Sequence, residues 1–209
     1  MRLCILITTL SSLMFVAACS NPAADKSKAV TGEAAQVSPQ TVQGQKYLIT
    51  PQHCKIEFVG SKVTGSEHGS FSKFSGQIDY SGNIETSRVN ITINADSVTT
   101  DSPGLDTHLK TADFFDVAKY PQVTFVSTSI KAGGEKGATH TVTGNLTMHG
   151  VTKAITFPAT ITVTPDAATV ESSFSINRKE FGINYPGARD NLIRDDVVLT
   201  LHVHATKAS

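Results

Sequence analysis

The sequence predicts an all-β fold, an eight-stranded antiparallel barrel with one short helical insertion near residues 105–118. Apolar and polar residues alternate with a period of two through residues 46–209, in runs that end at turn-forming residues. About eight such runs occur, and eight strands close into a barrel just wide enough for a side-chain core or one small ligand. A β-sandwich is the alternative, because alternation alone does not distinguish a closed sheet from two packed ones.

Each predicted strand places apolar side chains on one face. The clearest runs from Arg88 to Val98, where Val89, Ile91 and Ile93 face one way and polar residues face the other. The predicted strands, in chain order, are Tyr47–Ile49 continuing in Lys55–Val59, Phe71–Tyr80, Arg88–Val98, Gln122–Ile130, His140–Met148, Val151–Thr164, Ala168–Asn177 and Asp195–Thr206.

Turn-forming residues mark the connections between these strands. Pro51 predicts a bend within the first strand, because proline cannot donate to a sheet ladder. Residues 65–70, which hold two glycines and two serines, predict a turn-rich connection. Ser81-Gly82-Asn83 predicts a hairpin turn.

One stretch departs from the alternation. Residues 105–112 carry apolar side chains at helical spacing, and Phe114 and Phe115 follow. Pro121 ends the stretch, since the residue before a proline is pushed out of the helical region. The pattern predicts a short, aromatic-rich helix or turn that caps one end of the barrel. An ordinary crossover loop with two buried phenylalanines fits the pattern equally well.

The N-terminus has the pattern of a targeting segment. Arg2 is the only charge in residues 1–19, and the apolar run that follows it is too short to span a bilayer. The run ends in Val16-Ala17-Ala18-Cys19, which resembles the lipobox of bacterial lipoproteins. We therefore predict a lipoprotein signal peptide over residues 1–18 and lipidation of Cys19. A plain secretory signal or an uncleaved anchor is the alternative.

Lipidation predicts where the protein works. Several acyl chains on Cys19 would give stable anchoring, which a single chain does not. The predicted location is a bacterial membrane surface that faces the periplasm, and Ser20 favours the outer membrane under the usual enteric sorting rule. Residues 19–45 are rich in Ala, Ser, Gln and Gly without apolar periodicity, and they predict a flexible tether. The barrel domain then spans residues 46–209.

Composition and motifs exclude several functions. Net charge is zero and the pI is near 7.0, so no strong electrostatic attraction to nucleic acid is expected. After Cys4 and Cys19, Cys54 is the remaining thiol, which leaves no intramolecular disulfide. No P-loop, nucleophile elbow or zinc motif occurs. We predict no catalytic residue, no metal ligand and no cofactor.

Three segments in order resemble the YceI-like family of bacterial periplasmic proteins. They are LKTADFFDVAKYPQVTF at 109–125, GNLTMHGVTKAI at 144–155 and SINRKEFGI at 175–183. The resemblance extends over residues 47–205. It implies a lipocalin-like, extended barrel with a long apolar cavity. It also implies non-catalytic binding of a long amphiphile, such as a polyisoprenoid or a fatty acid derivative.

The candidate ligand-binding residues come from the resemblance and from the alternation. Two phenylalanines match the family's DFF segment, nine residues are inward-facing strand positions, and one arginine would meet an anionic head group or form a surface salt bridge. They are Phe114, Phe115, Val89, Ile91, Ile93, Phe125, Leu146, Met148, Ile155, Phe157, Phe174 and Arg178. A one-residue error in the register of a strand would place all of that strand's candidate residues on the outer face of the barrel.

The predicted function is binding, transport or sequestration of a long-chain isoprenoid or acyl lipid outside the cytoplasm. An inward-facing charged pair would instead favour an enzyme or isomerase that acts on a lipid-like substrate. A cavity too narrow for a chain would favour a closed-core structural lipoprotein with a protein partner. The sequence leaves the oligomeric state open, a homodimer included.

Overall fold

The structure is a computed structural model that describes residues 21–37 and 42–208. The predicted signal peptide over residues 1–18 and the predicted lipidation site Cys19 lie outside the described residues. Within the described part of the chain, no helix has the length and hydropathy that a bilayer crossing requires.

The described residues form fifteen strands and one α-helix. The helix α1 spans Pro103–Leu109. The strands, in chain order, are β1 (Ser27–Lys28), β2 (Val30–Glu33), β3 (Gln45–Ile49), β4 (Lys55–Ser61), β5 (Ser66–Phe71), β6 (Phe74–Tyr80), β7 (Arg88–Asn94), β8 (Val98–Thr100), β9 (Gln122–Ala132), β10 (His140–Met148), β11 (Val151–Val163), β12 (Ala167–Asn177), β13 (Gly187–Ala188), β14 (Asn191–Leu192) and β15 (Asp196–Lys207).

The main sheet closes into an eight-stranded antiparallel barrel, which confirms the predicted fold class. Its order around the barrel is β12-β11-β10-β9-β7-β6-β3-β15, and β15 pairs with β12 to complete the circle. The closing ladder runs the full length of β12, from Ala167 opposite Thr206 to Asn177 opposite Asp196. Closure leaves no edge strand among these eight, although β11 and β12 pair with each other over only part of their length.

The first predicted strand is interrupted, as expected around Pro51. β3 and β4 lie along the same side of β15, with Leu48 opposite Thr206 and Val59 opposite Val198. β4 continues the wall through β5 and β8. β3 therefore pairs with the C-terminal part of β15, and β4 pairs with its N-terminal part.

The turn-rich connection predicted over residues 65–70 is wrong. Ser66–Phe71 is strand β5, which pairs with both β4 and β8. Gly69 has a packing role here, because a Cβ at this position would lie 2.2 Å from the ring of Phe58. Its missing side chain leaves room for that ring across the ladder.

The helix is shorter than the predicted insertion over residues 105–118. α1 begins at Pro103, a favoured first position because proline's missing N–H needs no partner there. It ends at Leu109, and turns continue to residue 119. Thr111 Oγ1 donates to the carbonyl of His108 at 2.8 Å, a side-chain bond that competes with the helical ladder.

Two irregular segments cover one end of the barrel, and we call them the cap. They are residues 101–120, which include α1, and residues 178–195, which include the β13–β14 hairpin. His108 contacts the rings of Phe114 and Tyr185, both at 5.0 Å between centroids. These contacts join the two segments. Phe115 packs edge-on against Phe71 of β5 at 5.6 Å, which fixes the cap on the wall.

Part of the predicted flexible tether is regular structure. β1 pairs in parallel with β12, Ser27 opposite Phe174, and β2 pairs antiparallel with β11, Val30 opposite Thr156. We call residues 27–33 the strap. Its backbone satisfies groups of β11 and β12 where those two strands are not bonded to each other.

Candidate ligand-binding cavity

A continuous apolar cavity of about 220 Å³ lies inside the barrel. Its walls are inward-facing side chains of the barrel strands, and the cap supplies others at one end. On β15, four lining residues alternate from Val197 to Val203. At ~3.3 Å per residue that stretch is ~20 Å long, so the cavity is a narrow channel rather than a compact pocket.

The structure places all twelve predicted side chains on this cavity. The strand positions chosen by alternation face inward, and both phenylalanines of the DFF segment point down from the cap. These residues are Val89, Ile91, Ile93, Phe114, Phe115, Phe125, Leu146, Met148, Ile155, Phe157, Phe174 and Arg178. Ligand binding at these positions stays a prediction.

Three phenylalanines form a ladder across the interior. Phe157 of β11 stacks on Phe174 of β12 with centroids 4.2 Å apart and planes within 10°. Phe125 of β9 approaches Phe157 at 5.7 Å. Gly144 of β10 makes space for the Phe125 ring, since a Cβ there would lie 2.4 Å from it. The ladder gives the cavity a firm wall on one side.

Several inward side chains remain partly accessible although they face the interior. Phe125, Leu199 and Leu201 are half-buried strand residues that line the cavity. Residues of a filled core would be fully packed on all sides. Their open faces mark free volume for a ligand, and they argue against a closed core.

Arg178 is buried at the capped end, not on the surface. Its side chain is 4% exposed, and it lies on the cavity lining. Its guanidinium donates to the carbonyls of Ile183 at 2.8 Å, Arg194 at 3.1 Å and Ile193 at 3.3 Å. Asp195 lies 3.5 Å from Nη2 as its ionic partner.

These contacts change what Arg178 was expected to do. Arg178 does form an ion pair, but not at the surface, and burial with three carbonyl acceptors makes the side chain a brace for the cap. Burial lowers the pKa of Arg178 from its usual value, and the charge of Asp195 opposes that shift. The guanidinium keeps its positive charge at this end of the channel.

The described residues place no charged pair on the cavity, the feature that would favour an enzyme. Arg178 is the one charged residue among the described lining residues. Asp106 and His108 do not face each other. Asp106 accepts from the backbone N–H of Thr100, and His108 lies 2.8 Å from Asp113 on the outside of the cap. The described residues contain no group of three or more His, Cys, Asp or Glu arranged to hold a metal ion.

Sequence reasoning missed some lining residues for two different reasons. Phe58 and Leu199 lie in alternating runs, so the same argument applied to every strand would have found them. Ile183 and Ile193 lie in the irregular segment of the cap. No periodic signal identifies such positions, because only tertiary packing turns them inward.

The closed barrel and its apolar channel define the class of this protein, a β-barrel with an internal apolar cavity. A sequence comparison identifies its family. A family model of the YceI-like domain matches residues 47–205. The chain belongs to the YceI-like family.

Curated relatives and solved structures agree with this assignment. A UPF0312 protein of Pseudomonas putida strain GB-1 is 38% identical over 137 residues, which cover 62% of this chain and 70% of the relative. BcnA of Burkholderia cenocepacia has a similar structure, with a TM-score of 0.67, 25% identity, and coverage of 76% of this chain and 99% of that one. A polyisoprenoid-binding domain from Saccharophagus degradans has a TM-score of 0.63 at 19% identity, and the match covers 78% and 98% of the two chains. That last likeness shows the fold alone.

Proposed function

We propose that the protein binds one long-chain amphiphile, a polyisoprenoid or a fatty acid derivative, in the barrel channel and performs no chemistry on it. The observation that carries the proposal is the channel itself, which is long, narrow and apolar, with Arg178 as the single charged residue among the described residues that line it. A hydrocarbon chain matches the walls, and a head group matches the end beside Arg178.

The energetics of such binding are favourable. Each methylene removed from water contributes ~0.8 kcal/mol. A chain that fills the channel therefore offsets association and ordering costs of about 4–15 kcal/mol. Arg178 contributes little specificity for a head group, because its N–H donors already bond backbone carbonyls.

The comparisons support the same class of ligand. The structural neighbour from Saccharophagus degradans is described as a polyisoprenoid-binding domain. We extend that ligand class to this chain because both have the same barrel and because this chain's cavity is apolar. The absence of an acid–base pair among the described lining residues supports binding without catalysis.

A single substitution that narrows the channel tests the proposal. Leu201 is half-buried and faces the cavity, so Leu201→Trp places an indole inside the channel. Thr162→Trp adds the same group to the exposed outer face of β11. The natural chain has no tryptophan, so each variant carries a single tryptophan whose fluorescence can be followed. We expect Leu201→Trp to weaken binding of labelled palmitate and of a labelled prenyl alcohol at least ~10-fold, a loss of ~1.4 kcal/mol.

The controls separate blocking from misfolding. Thr162→Trp should bind like the natural chain, and circular dichroism should show the same β content for both variants. If Leu201→Trp binds both probes as tightly as the natural chain does, the channel is not the binding site. If the natural chain takes up neither probe after delipidation, the proposed function is wrong.

We also propose that Cys19 is lipidated and holds the barrel on the periplasmic side of a bacterial membrane. The lipobox-like residues Val16-Ala17-Ala18-Cys19 support this proposal. Fractionation of cells that express the chain tests it. The natural chain should follow the membranes, and Cys19→Ala should be released into the soluble periplasmic fraction or remain unprocessed. Equal distribution of both forms, with the signal peptide removed from both, would contradict the proposal.

A further inference from the structure

We propose that the strap, residues 27–33, is a displaceable gate over a lateral slit in the barrel wall, through which the hydrocarbon chain enters the cavity. The gate presupposes the proposed function, since it regulates access to the same channel. The feature that carries the inference is the way in which β11 and β12 separate.

The slit is a gap in the hydrogen-bonded wall. β11 and β12 pair with each other only over Thr160–Val163 opposite Ala168–Glu171. Beyond that ladder, β11 extends back to Val151 and β12 extends on to Asn177. Over this distance the strap takes the place of the missing pairing.

Pro158 explains why the ladder stops where it does. The carbonyl of Pro158 points toward β12 and accepts from Ser172 Oγ at 2.6 Å. In a strand, the N–H and C=O of one residue point to the same side. Pro158 therefore has no N–H to give to β12 at the position where the next ladder bond would form.

The strap bridges both borders of the slit. Ser27 and Lys28 pair with β12, and the N–H of Ala29 donates to the carbonyl of Ser175 at 2.8 Å. The chain then crosses to β11, where Val30–Glu33 pairs opposite Lys153–Thr156. One short segment thus completes the wall on two strands in turn.

The slit leads to the cavity. Both strands that border it contribute lining side chains along the unpaired stretch, Ile155 and Phe157 from β11 and Phe174 and Ile176 from β12. Removal of the strap would expose the backbone between these side chains. A hydrocarbon chain that entered there would meet apolar walls at once.

The strap is held more weakly than the strands around it. Its buried side chains are small, Ser27 and Ala29, while Val30 is 70% exposed. Ser27 Oγ is buried and has no hydrogen-bond partner among the described residues, which weakens the docking of the strap. Segments with little apolar burial open at the low end of a protein's range of local stabilities.

The polar contacts of the strap lie at the surface. Lys28 pairs with Asp196 at 2.8 Å, and Glu33 pairs with Lys153 at 3.0 Å. Exposed ion pairs of this kind contribute little to stability. These ion pairs hold the strap in register but do not prevent it from separating from β11 and β12.

A disulfide across the strap tests the gate. Val30 and Thr156 are opposite each other on the outer face, so Val30→Cys with Thr156→Cys places two thiols where a bond locks the strap to β11. Thr162→Cys with Thr169→Cys is the matched control, because it crosslinks β11 and β12 where they are already paired. Both pairs are made in the full-length chain with Cys54→Ala.

The readout is the rate at which labelled palmitate moves between phosphatidylethanolamine vesicles and the barrel. We expect the oxidised strap pair to slow uptake and release together, each by at least ~10-fold, with an unchanged dissociation constant. Reduction should restore both rates. The oxidised control pair should exchange like the natural chain. Equal rates in the locked and control forms would overturn the gate.

Hydrogen exchange on the natural chain gives a second test that needs no cysteine variant. The amides of residues 27–33 should exchange faster than those of the β9–β10 ladder, and equal protection would overturn the gate. If palmitate binds no form of the protein, the proposed function fails for acyl ligands. Hydrogen exchange then still decides whether the strap opens.

Discussion

At the residue scale, Arg178 shows how one side chain links the cap to the cavity. Its guanidinium donates to three backbone carbonyls in residues 183–194 and lies against the lining of the channel. Those carbonyls belong to a segment with little regular structure, so few other donors serve it. The residue type was visible in the sequence. Its burial was not, because the acceptors come from irregular backbone.

Replacement of Arg178 should destabilise the protein more than loss of an exposed charge. Arg178→Met leaves buried carbonyls without donors, so we expect a loss of ~2–4 kcal/mol in the free energy of unfolding. Lys179→Met is the control, since Lys179 pairs with the same Asp195 at 3.0 Å but is exposed. It should cost less than ~0.5 kcal/mol. Urea denaturation measures both, and equal losses would contradict the brace.

Tyr47 predicts a dependence of stability on alkaline pH. Burial raises the pKa of Tyr47 above its usual 10.0, with smaller contributions from Tyr80 and Asp166. A raised folded-state pKa gives stability that is complete below the unfolded pKa and is lost as pH rises through the folded pKa. Stability should therefore fall above about pH 10 as this hydroxyl ionises.

Tyr47→Phe isolates that effect. The variant loses the hydrogen bond from Tyr47 to the carbonyl of Thr164 at 2.7 Å, which costs ~1 kcal/mol at neutral pH. Between about pH 8 and pH 11 it should lose less further stability than the natural chain does. Tyr185→Phe in the cap should behave like the natural chain. An unchanged pH dependence in Tyr47→Phe would show that Tyr47 does not carry the effect.

At the element scale, the sequence predicts the long strands well and the short ones poorly. β9 to β12 and β15 have apolar residues at nearly every inward position, so alternation finds them. β5 contains Glu67, His68 and Gly69, and its pattern resembles a turn. The strap has only small inward residues such as Ser27 and Ala29. Its strand conformation depends on hydrogen bonds to β11 and β12, which lie more than a hundred residues later in the chain.

The close approach of β9 and β10 depends on one glycine. The ladder between them shifts register at Thr143 and Gly144, and the ring of Phe125 covers the gap. A Cβ on Gly144 would lie 2.4 Å from that ring and 2.7 Å from the carbonyl of Val126. The ring or the backbone must then move.

Gly144→Ala should therefore affect both stability and binding. We expect a loss of ~1–3 kcal/mol in the free energy of unfolding from overpacking. A displaced Phe125 ring also narrows the channel and should weaken lipid binding. Gly65→Ala, outside the strap, is the matched control, because a Cβ on that glycine meets nothing within 4 Å. Thermal unfolding and palmitate titration measure the two effects, and identical behaviour of the two variants would contradict this packing.

At the scale of the whole molecule, the barrel, the cap and the strap form one container. The cap covers one end with aromatic contacts, and the strap completes the side wall. Ser27 follows Cys19 by eight positions, so a docked strap would keep the barrel within ~28 Å of the proposed lipid anchor at that cysteine. A fully flexible tether through residue 45 would allow a much larger distance. If Cys19 carries the proposed lipid, the docked strap would hold the side wall near the membrane.

We expect the channel to hold one long-chain lipid. Native mass spectrometry of the chain, purified without detergent from bacteria that export it, measures this occupancy. We expect a bound mass of one lipid per chain, which solvent extraction identifies as an isoprenoid or acyl compound and which Leu201→Trp abolishes. A chain that carries no lipid, and that stays empty after incubation with palmitate or a prenyl alcohol, would contradict this expectation.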